Sequence, residues 1–248
     1  MANWSDPRPT ASAFGASVPG TRGTTYDAGL RKYMLSVYNY MASGVLLTGI
    51  VALLFASGGR ESLAAQVFLT PGPLKYIIMF SPLAFVMVLS FGINRLSTGT
   101  AQLLFWAFAG IMGLSMSTIF LVYTGSSIAP PFFATAVAFL SLSIYGYTTK
   151  RNLQAFGTFL IMGVVGLIVA SLLNLWMQSS ALQMGISAIG VLLFAGLTAY
   201  DTQRIKEMYA HVAGTDMMGK AVIMGALSLY LDFINMFQFL LSFLGNRE

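Results

Sequence analysis

The chain contains no cysteine and a single histidine among its 248 residues. Without cysteine there is no disulfide framework, no thiolate metal site, no thiol nucleophile and no palmitoylation. The lone His211 lies in a charged stretch and cannot by itself build a zinc site. Serine hydrolysis is poorly served too, because no apolar segment holds a histidine to activate a serine. Charge of either sign is scarce. Charged residues make up 8% of the chain and hydrophobic ones 56%, against about 25% charged in an ordinary soluble domain. So few charges could not cover, in water, the core that a chain of this size would bury. A soluble globule and a disordered chain are therefore excluded, and an all-α polytopic membrane protein remains.

The charges that are present sit in clusters. The runs 33–59, 76–94, 96–149 and 152–200 contain none, and each is long enough for one or two spans of about 20 residues. Turn-forming residues divide the two longest: Thr124-Gly125-Ser126-Ser127 with Pro130-Pro131, and Met177-Gln178-Ser179-Ser180. This predicts seven helices, at 33–56, 76–95, 101–123, 131–148, 154–176, 181–203 and 221–245. The seventh is interrupted by Asp232, Asn235 and Gln238, so it either spans or re-enters within the bundle.

With the N-terminus inside, Arg8, Arg22, Arg31, Lys32, Arg95, Lys150, Arg151, Arg204, Lys206 and Lys220 are all cytoplasmic. Arg60, Lys75 and Arg247 are outside. That imbalance is a positive-inside pattern and accounts for the net charge of +5 without a nucleic-acid partner. Residues 1–32 are rich in Pro, Gly, Ser and Thr and lack the apolar core of a signal peptide. They read as a disordered cytoplasmic tail, with 33–248 as the membrane domain and Tyr33–Phe55 as an uncleaved first span. Ala109 with Gly113, Gly166 with Ala170, and Ala195 with Ala199 have the spacing that lets helices approach closely. Trp106 and Trp176 read as interface anchors.

Ionisable groups inside a span cost about 2.5–3.5 kcal/mol at its centre, so they tend to face a cavity or a partner. Asp232 lies about 16 Å along the seventh helix, on a polar stripe with Ser228 and Asn235 that Gly225 extends. Asp201 comes near the end of the sixth, one turn before Arg204. As neighbours in an antiparallel pair, the two helices place both carboxylates in the cytoplasmic half. Two facing carboxylates can share one proton, a contact sensitive to pH where an isolated aspartate is not. Arg95, at the end of the second helix, is on the same side; it is either a plain orientation residue or a counter-ion that closes the inner mouth.

The run Ala226-Leu227-Ser228-Leu229-Tyr230-Leu231-Asp232-Phe233-Ile234-Asn235 resembles the C-terminal signature of the transmembrane Bax inhibitor family. Tyr200-Asp201 followed by Gln203 and Ile205 resembles its sixth helix. Arg95 stands where the family's bacterial calcium-leak members carry an arginine. The resemblance covers about residues 30–245 and leaves the tail out. It implies a seven-helix bundle with the last helix central, in a bacterial inner membrane, permitting a slow pH-dependent calcium leak. Asp201 and Asp232 would be the sensor and Arg95 its latch. Calcium, a hard cation, prefers oxygen ligands, and the two carboxylates are the best candidates for a transient site; no bound cofactor is expected. A second reading is a regulatory protein whose tail binds another membrane protein, such as a quality-control protease. An intramembrane aspartyl protease fits less well: Leu229-Tyr230-Leu231-Asp232 stands where Gly-x-Gly-Asp is wanted, and no Pro-Ala-Leu occurs anywhere.

Overall fold

The computed structural model describes residues 19–245. Residues 1–18 of the expected tail, and Arg247, lie outside the described residues. Helix α1 is Pro19–Ala56, so residues 19–32 continue the first helix where a tail was expected. A turn of 3₁₀ helix at Gly59–Glu61 leads into α2, Leu63–Phe68, a short segment capped by the Ser62 hydroxyl. Then follow α3 (Leu74–Gly92), α4 (Thr98–Met116) and α5 (Ile119–Val122). The chain ends with α6 (Gly125–Thr148), α7 (Gln154–Met177), α8 (Ser180–Val212) and α9 (Met217–Leu244). Seven of these segments are long and apolar enough to cross a membrane, α4 and α5 together forming one of them. The described residues form no strand.

Differences from the expected boundaries have local causes. The third span breaks at Ser117 and Thr118, whose hydroxyls donate to the backbone carbonyls of Leu114 and Ser115 and loosen the helical ladder. Pro130-Pro131, expected to precede the fourth helix, lie inside α6. They are its sixth and seventh residues, where each proline lacks a backbone donor and crowds the carbonyl four residues back, yet the helix continues through them. The sixth helix runs on to Val212, nine residues past its expected end, because Thr202, Gln203, Ile205 and Tyr209 are buried against neighbouring elements.

Helix α9 is central. Half of its apolar window is buried inside the protein, against 11% for α3, and it packs on α8, α1, α6 and α4. It is one continuous helix of 28 residues, about 42 Å, long and apolar enough to cross a membrane and without the internal turn of a re-entrant segment. Tyr230 holds it. Its hydroxyl lies 2.6 Å from Thr48 Oγ1 on α1, which donates in turn to the carbonyl of Ala109 on α4 at 2.8 Å. The Tyr230 ring meets Phe108 and Phe105 edge-on, with centroids 5.1 and 6.3 Å away.

Two of the small-residue pairs do pack as expected. A Cβ at Gly113 would lie 2.7 Å from the Thr48 carbonyl oxygen, and one at Gly146 would collide with the backbone of Ala199. Gly166 does not: a Cβ there meets nothing within 4 Å. Trp176 is exposed at the end of α7, as an anchor would be, whereas Trp106 packs with Tyr40 and Phe105.

All the turns at one end of the bundle are tied together. Tyr26 and Tyr33 at the start of α1 pack on Tyr209 of α8 at 5.2 and 5.4 Å. Lys220 of α9 reaches the Asn94 carbonyl in the α3–α4 turn. This end carries eight of the Lys and Arg side chains described, and the opposite end carries Arg60 and Lys75.

Thermal unfolding in detergent checks these contacts. Gly146→Ala is expected to destabilise by about 1–3 kcal/mol, as overpacking against a rigid backbone does. Gly166→Ala should be neutral or stabilise by up to about 1 kcal/mol through helix propensity. Tyr230→Phe should cost about 0.5–1.5 kcal/mol, and its effect should be non-additive with that of Thr48→Val.

Candidate functional site between α8 and α9

Helices α8 and α9 form the most extensively packed pair in the bundle. Asp201 belongs to α8, which continues eleven residues beyond it, so it is an interior residue and not the helix-end carboxylate its sequence position suggested. It is half-buried, whereas Asp232 on α9 is only 4% exposed. The two carboxylates are near enough for the charge of one to act on the other. Asp232 Oδ2 is buried and has no hydrogen-bond partner. A carboxyl oxygen in that position is costly and calls for an explanation.

Among the described residues, no Lys or Arg nitrogen lies within 4.0 Å of either carboxylate. The positive charge acting on Asp201 is that of Arg204, one turn along α8. Beside Asp201 a cavity of about 240 Å³ opens between α8 and α9, lined also by Ile93 just past the end of α3; Asp232 does not line it. Its polar lining is Asp201, Arg204, Lys220 and Ser228; Ile205, Met208, Met224 and their apolar neighbours make up the rest.

The expected site residues are brought together only in part. Asp201 and Asp232 lie on neighbouring helices, close enough for the charge of Asp201 to act on Asp232, with no hydrogen bond between them. Ser228 faces the cavity. Asn235 turns away: its Nδ2 donates to the Leu231 carbonyl at 2.8 Å, and the residue lines a separate groove beside α7. The stripe divides because α9 is covered by several helices, and successive turns meet different ones. Arg95 is exposed in the α3–α4 turn and does not line the cavity. Arg204 and Lys220 hold the basic positions there, and Lys220 Nζ also donates to the Asn94 carbonyl at 3.4 Å.

By sequence position alone Lys220 is an orientation residue. Its signal was the spacing: 220, 224, 228 and 232 recur every four residues along one face. Gln203 was equally unforeseen as an anchor. Its Oε1 accepts from the Leu153 N–H and its Nε2 donates to the Arg151 carbonyl, both at 2.8 Å. Lys206 Nζ donates to the Tyr147 carbonyl at 2.7 Å. Together they pin the α6–α7 turn to the stretch of α8 that carries Asp201. His211 is exposed, and among the described residues no three His, Asp or Glu side chains converge on a common point.

The chain's relatives agree with this architecture. Residues 30–248 match the family described as inhibitor of apoptosis-promoting Bax1. The chain is 44% identical to the inner membrane protein YbhL of Escherichia coli, covering 89% of this chain and 94% of that one. It is 48% identical to an uncharacterized protein of Rickettsia prowazekii, over 92% of this chain and 95% of the relative. An uncharacterized membrane protein of Streptococcus pyogenes is 35% identical, over 91% and 97% of the two chains. The match spans every membrane helix and both aspartates, and the chain belongs to the Bax inhibitor family of membrane proteins.

Proposed function

We propose that the protein is a calcium-leak channel of the bacterial inner membrane, in which the Asp201–Asp232 pair makes the leak sensitive to pH. The observation that carries this reading is the buried, unpartnered Asp232 oxygen beside a second carboxylate. The hydroxyls of Tyr33 and Ser143 are buried and unpartnered as well, but those are neutral groups, and an acid left unpaired at this depth costs more. A group that exchanges a proton or meets a passing cation needs one left open. The two carboxylates offer at most four oxygens, and calcium takes about six to eight. Water completes the shell, so binding is transient, as a permeant ion requires.

The N-terminus is cytoplasmic in this reading, on the strength of the basic end of the bundle. Arg95 acts as a latch in a second arrangement: the turn that carries it is tied to α9 through Lys220 and the Asn94 carbonyl. The activity is transport without catalysis, and no resident cofactor takes part.

Calcium flux into proteoliposomes, measured across pH, tests the mechanism. Asp232→Asn should change the rate and flatten the pH profile, because the substituted pair has lost one of its two coupled protons. Asp201→Asn should flatten it too. Neutralising Lys75, at the other end, should leave the profile alone. An Asp232→Asn protein that matches the wild type in both rate and profile would rule the mechanism out.

A further inference from the structure

A groove of about 410 Å³ lies on the outside of the bundle between α1 and α6. Both helices pack on α8 and α9 but make at most slight contact with each other. The walls are four residues of α1, from Arg31 to Tyr38, and four of α6, from Leu140 to Tyr147. Each set follows steps of three, one and three residues, which keep it on one face of its helix. The two helices run in opposite directions, so Arg31 and Tyr147 share the basic end of the bundle while Tyr38 and Leu140 lie deeper. Leu35, Leu140 and Ile144 are each more than half exposed, an aliphatic surface of the kind that meets lipid chains. Behind them the Tyr38 hydroxyl lies 3.5 Å from Thr202 Oγ1 on α8.

Two polar residues of these walls stand without partners. Arg31 is exposed and makes no ion pair or hydrogen bond among the described residues, not even with Asp27 one turn before it. Ser143 is 4% exposed, and its hydroxyl is buried and unpaired, although a serine within a helix commonly bonds the carbonyl four residues back. A second positive charge stands close to the mouth, where Lys206 Nζ lies over the Tyr147 ring, 4.9 Å from its centroid.

We propose that this groove binds an anionic phospholipid of the leaflet at the basic end, its phosphate on Arg31 and one acyl chain along Leu35, Leu140 and Ile144. A guanidinium grips phosphate oxygens through paired, charge-assisted hydrogen bonds, and basic pockets between membrane helices take acidic headgroups. Ser143 lies one turn, about 6 Å, below Tyr147, where the ester carbonyls of a lipid follow its phosphate. Rotated about its Cα–Cβ bond into the groove, its hydroxyl donates to one of them. Headgroup charge selects the occupant, because a zwitterionic lipid would bring its own cation toward Arg31 and Lys206. The site stands apart from the aspartate pair and does not depend on the leak reading.

Native mass spectrometry of the full chain, released from detergent holding phosphatidylglycerol and phosphatidylcholine in equal amounts, tests the assignment. The wild type should keep one phosphatidylglycerol in preference to phosphatidylcholine. Arg31→Gln should weaken that retention about fivefold, the worth of one basic residue near an anionic lipid surface. Lys32→Gln removes the same charge at an exposed neighbour that does not line the groove, and should leave retention unchanged. Leu140→Trp fills the groove without altering its charge and should abolish the preference. Equal retention of the two lipids by the wild type overturns the site, as does an equal loss in Arg31→Gln and Lys32→Gln. Retention that survives both Arg31→Gln and Leu140→Trp overturns it too. So does a dimer that retains no lipid and dissociates in Leu140→Trp, since a second copy then covers the groove.

Discussion

Everything in this bundle depends on keeping α9 surrounded. A helix bearing Asp232 and Tyr230 could not face lipid along those turns, where neither water nor a partner would meet their polar atoms. The contact that fixes it is the relay from Tyr230 through the Thr48 hydroxyl to the Ala109 carbonyl, which joins three helices. Interhelical hydrogen bonds in membranes are individually modest, at about 0.6 kcal/mol on average, so the relay does not stand alone. The aromatic rings of Phe105 and Phe108 enclose it, and the bare backbones of Gly44 and Gly113 let α1 close upon them. Aromatic bulk on one helix and missing side chains on its neighbour are two halves of the same contact.

Against that satisfied centre, the pair on α8 and α9 stands out by contrast. Tyr230 and Asp232 are two residues apart on one helix and both are buried, yet only the tyrosine has its oxygen paired. The fold can plainly supply a partner at this depth. Asp232 has an oxygen without one, with a second carboxylate near and, among the described residues, no cation within 4.0 Å; Tyr33 and Ser143 also leave buried oxygens unpartnered, but only Asp232 is an acid. In the cavity, Lys220 is turned toward a backbone carbonyl while Asp201 is left to the weaker influence of Arg204.

Much of this was legible in the sequence because a bilayer penalises charge so heavily. Long uncharged runs are helices, and the few acids inside them stand out; Asp201 and Asp232 emerged that way. What could not be read depended on which helix faces which. Arg95 and Lys220 are both basic and both lie near helix ends, and only the packing shows that Lys220 lines the cavity and Arg95 does not. Gly166 has the same small-residue spacing as Gly113, but a motif of that kind says only that a close approach is allowed. Asn235 shares a face with Asp232 by periodicity and still reaches a different groove, because α7 packs on α8 without also covering α9. Likewise the true length of α8 was hidden by its charges: Arg204, Lys206 and Glu207 look like a terminus, although the buried residues between them hold the helix intact.

The distribution of packing also says which part of the bundle is free to move. Helix α3 has the smallest buried share of any span and packs mainly on α4, with a slighter contact to α2. Ile93, just past its end, is one of the residues lining the cavity beside Asp201, and the adjoining turn is held to α9 by the Lys220–Asn94 bond at 3.4 Å, long for a charged donor. One wall residue of the cavity thus adjoins the least anchored helix, while the carboxylates sit on the two helices that pack most extensively. Elements with few buried contacts open at low cost, and those with many hold their geometry. Movement of α3 would therefore alter the cavity wall at Ile93 while leaving the helices that carry Asp201 and Asp232 in place.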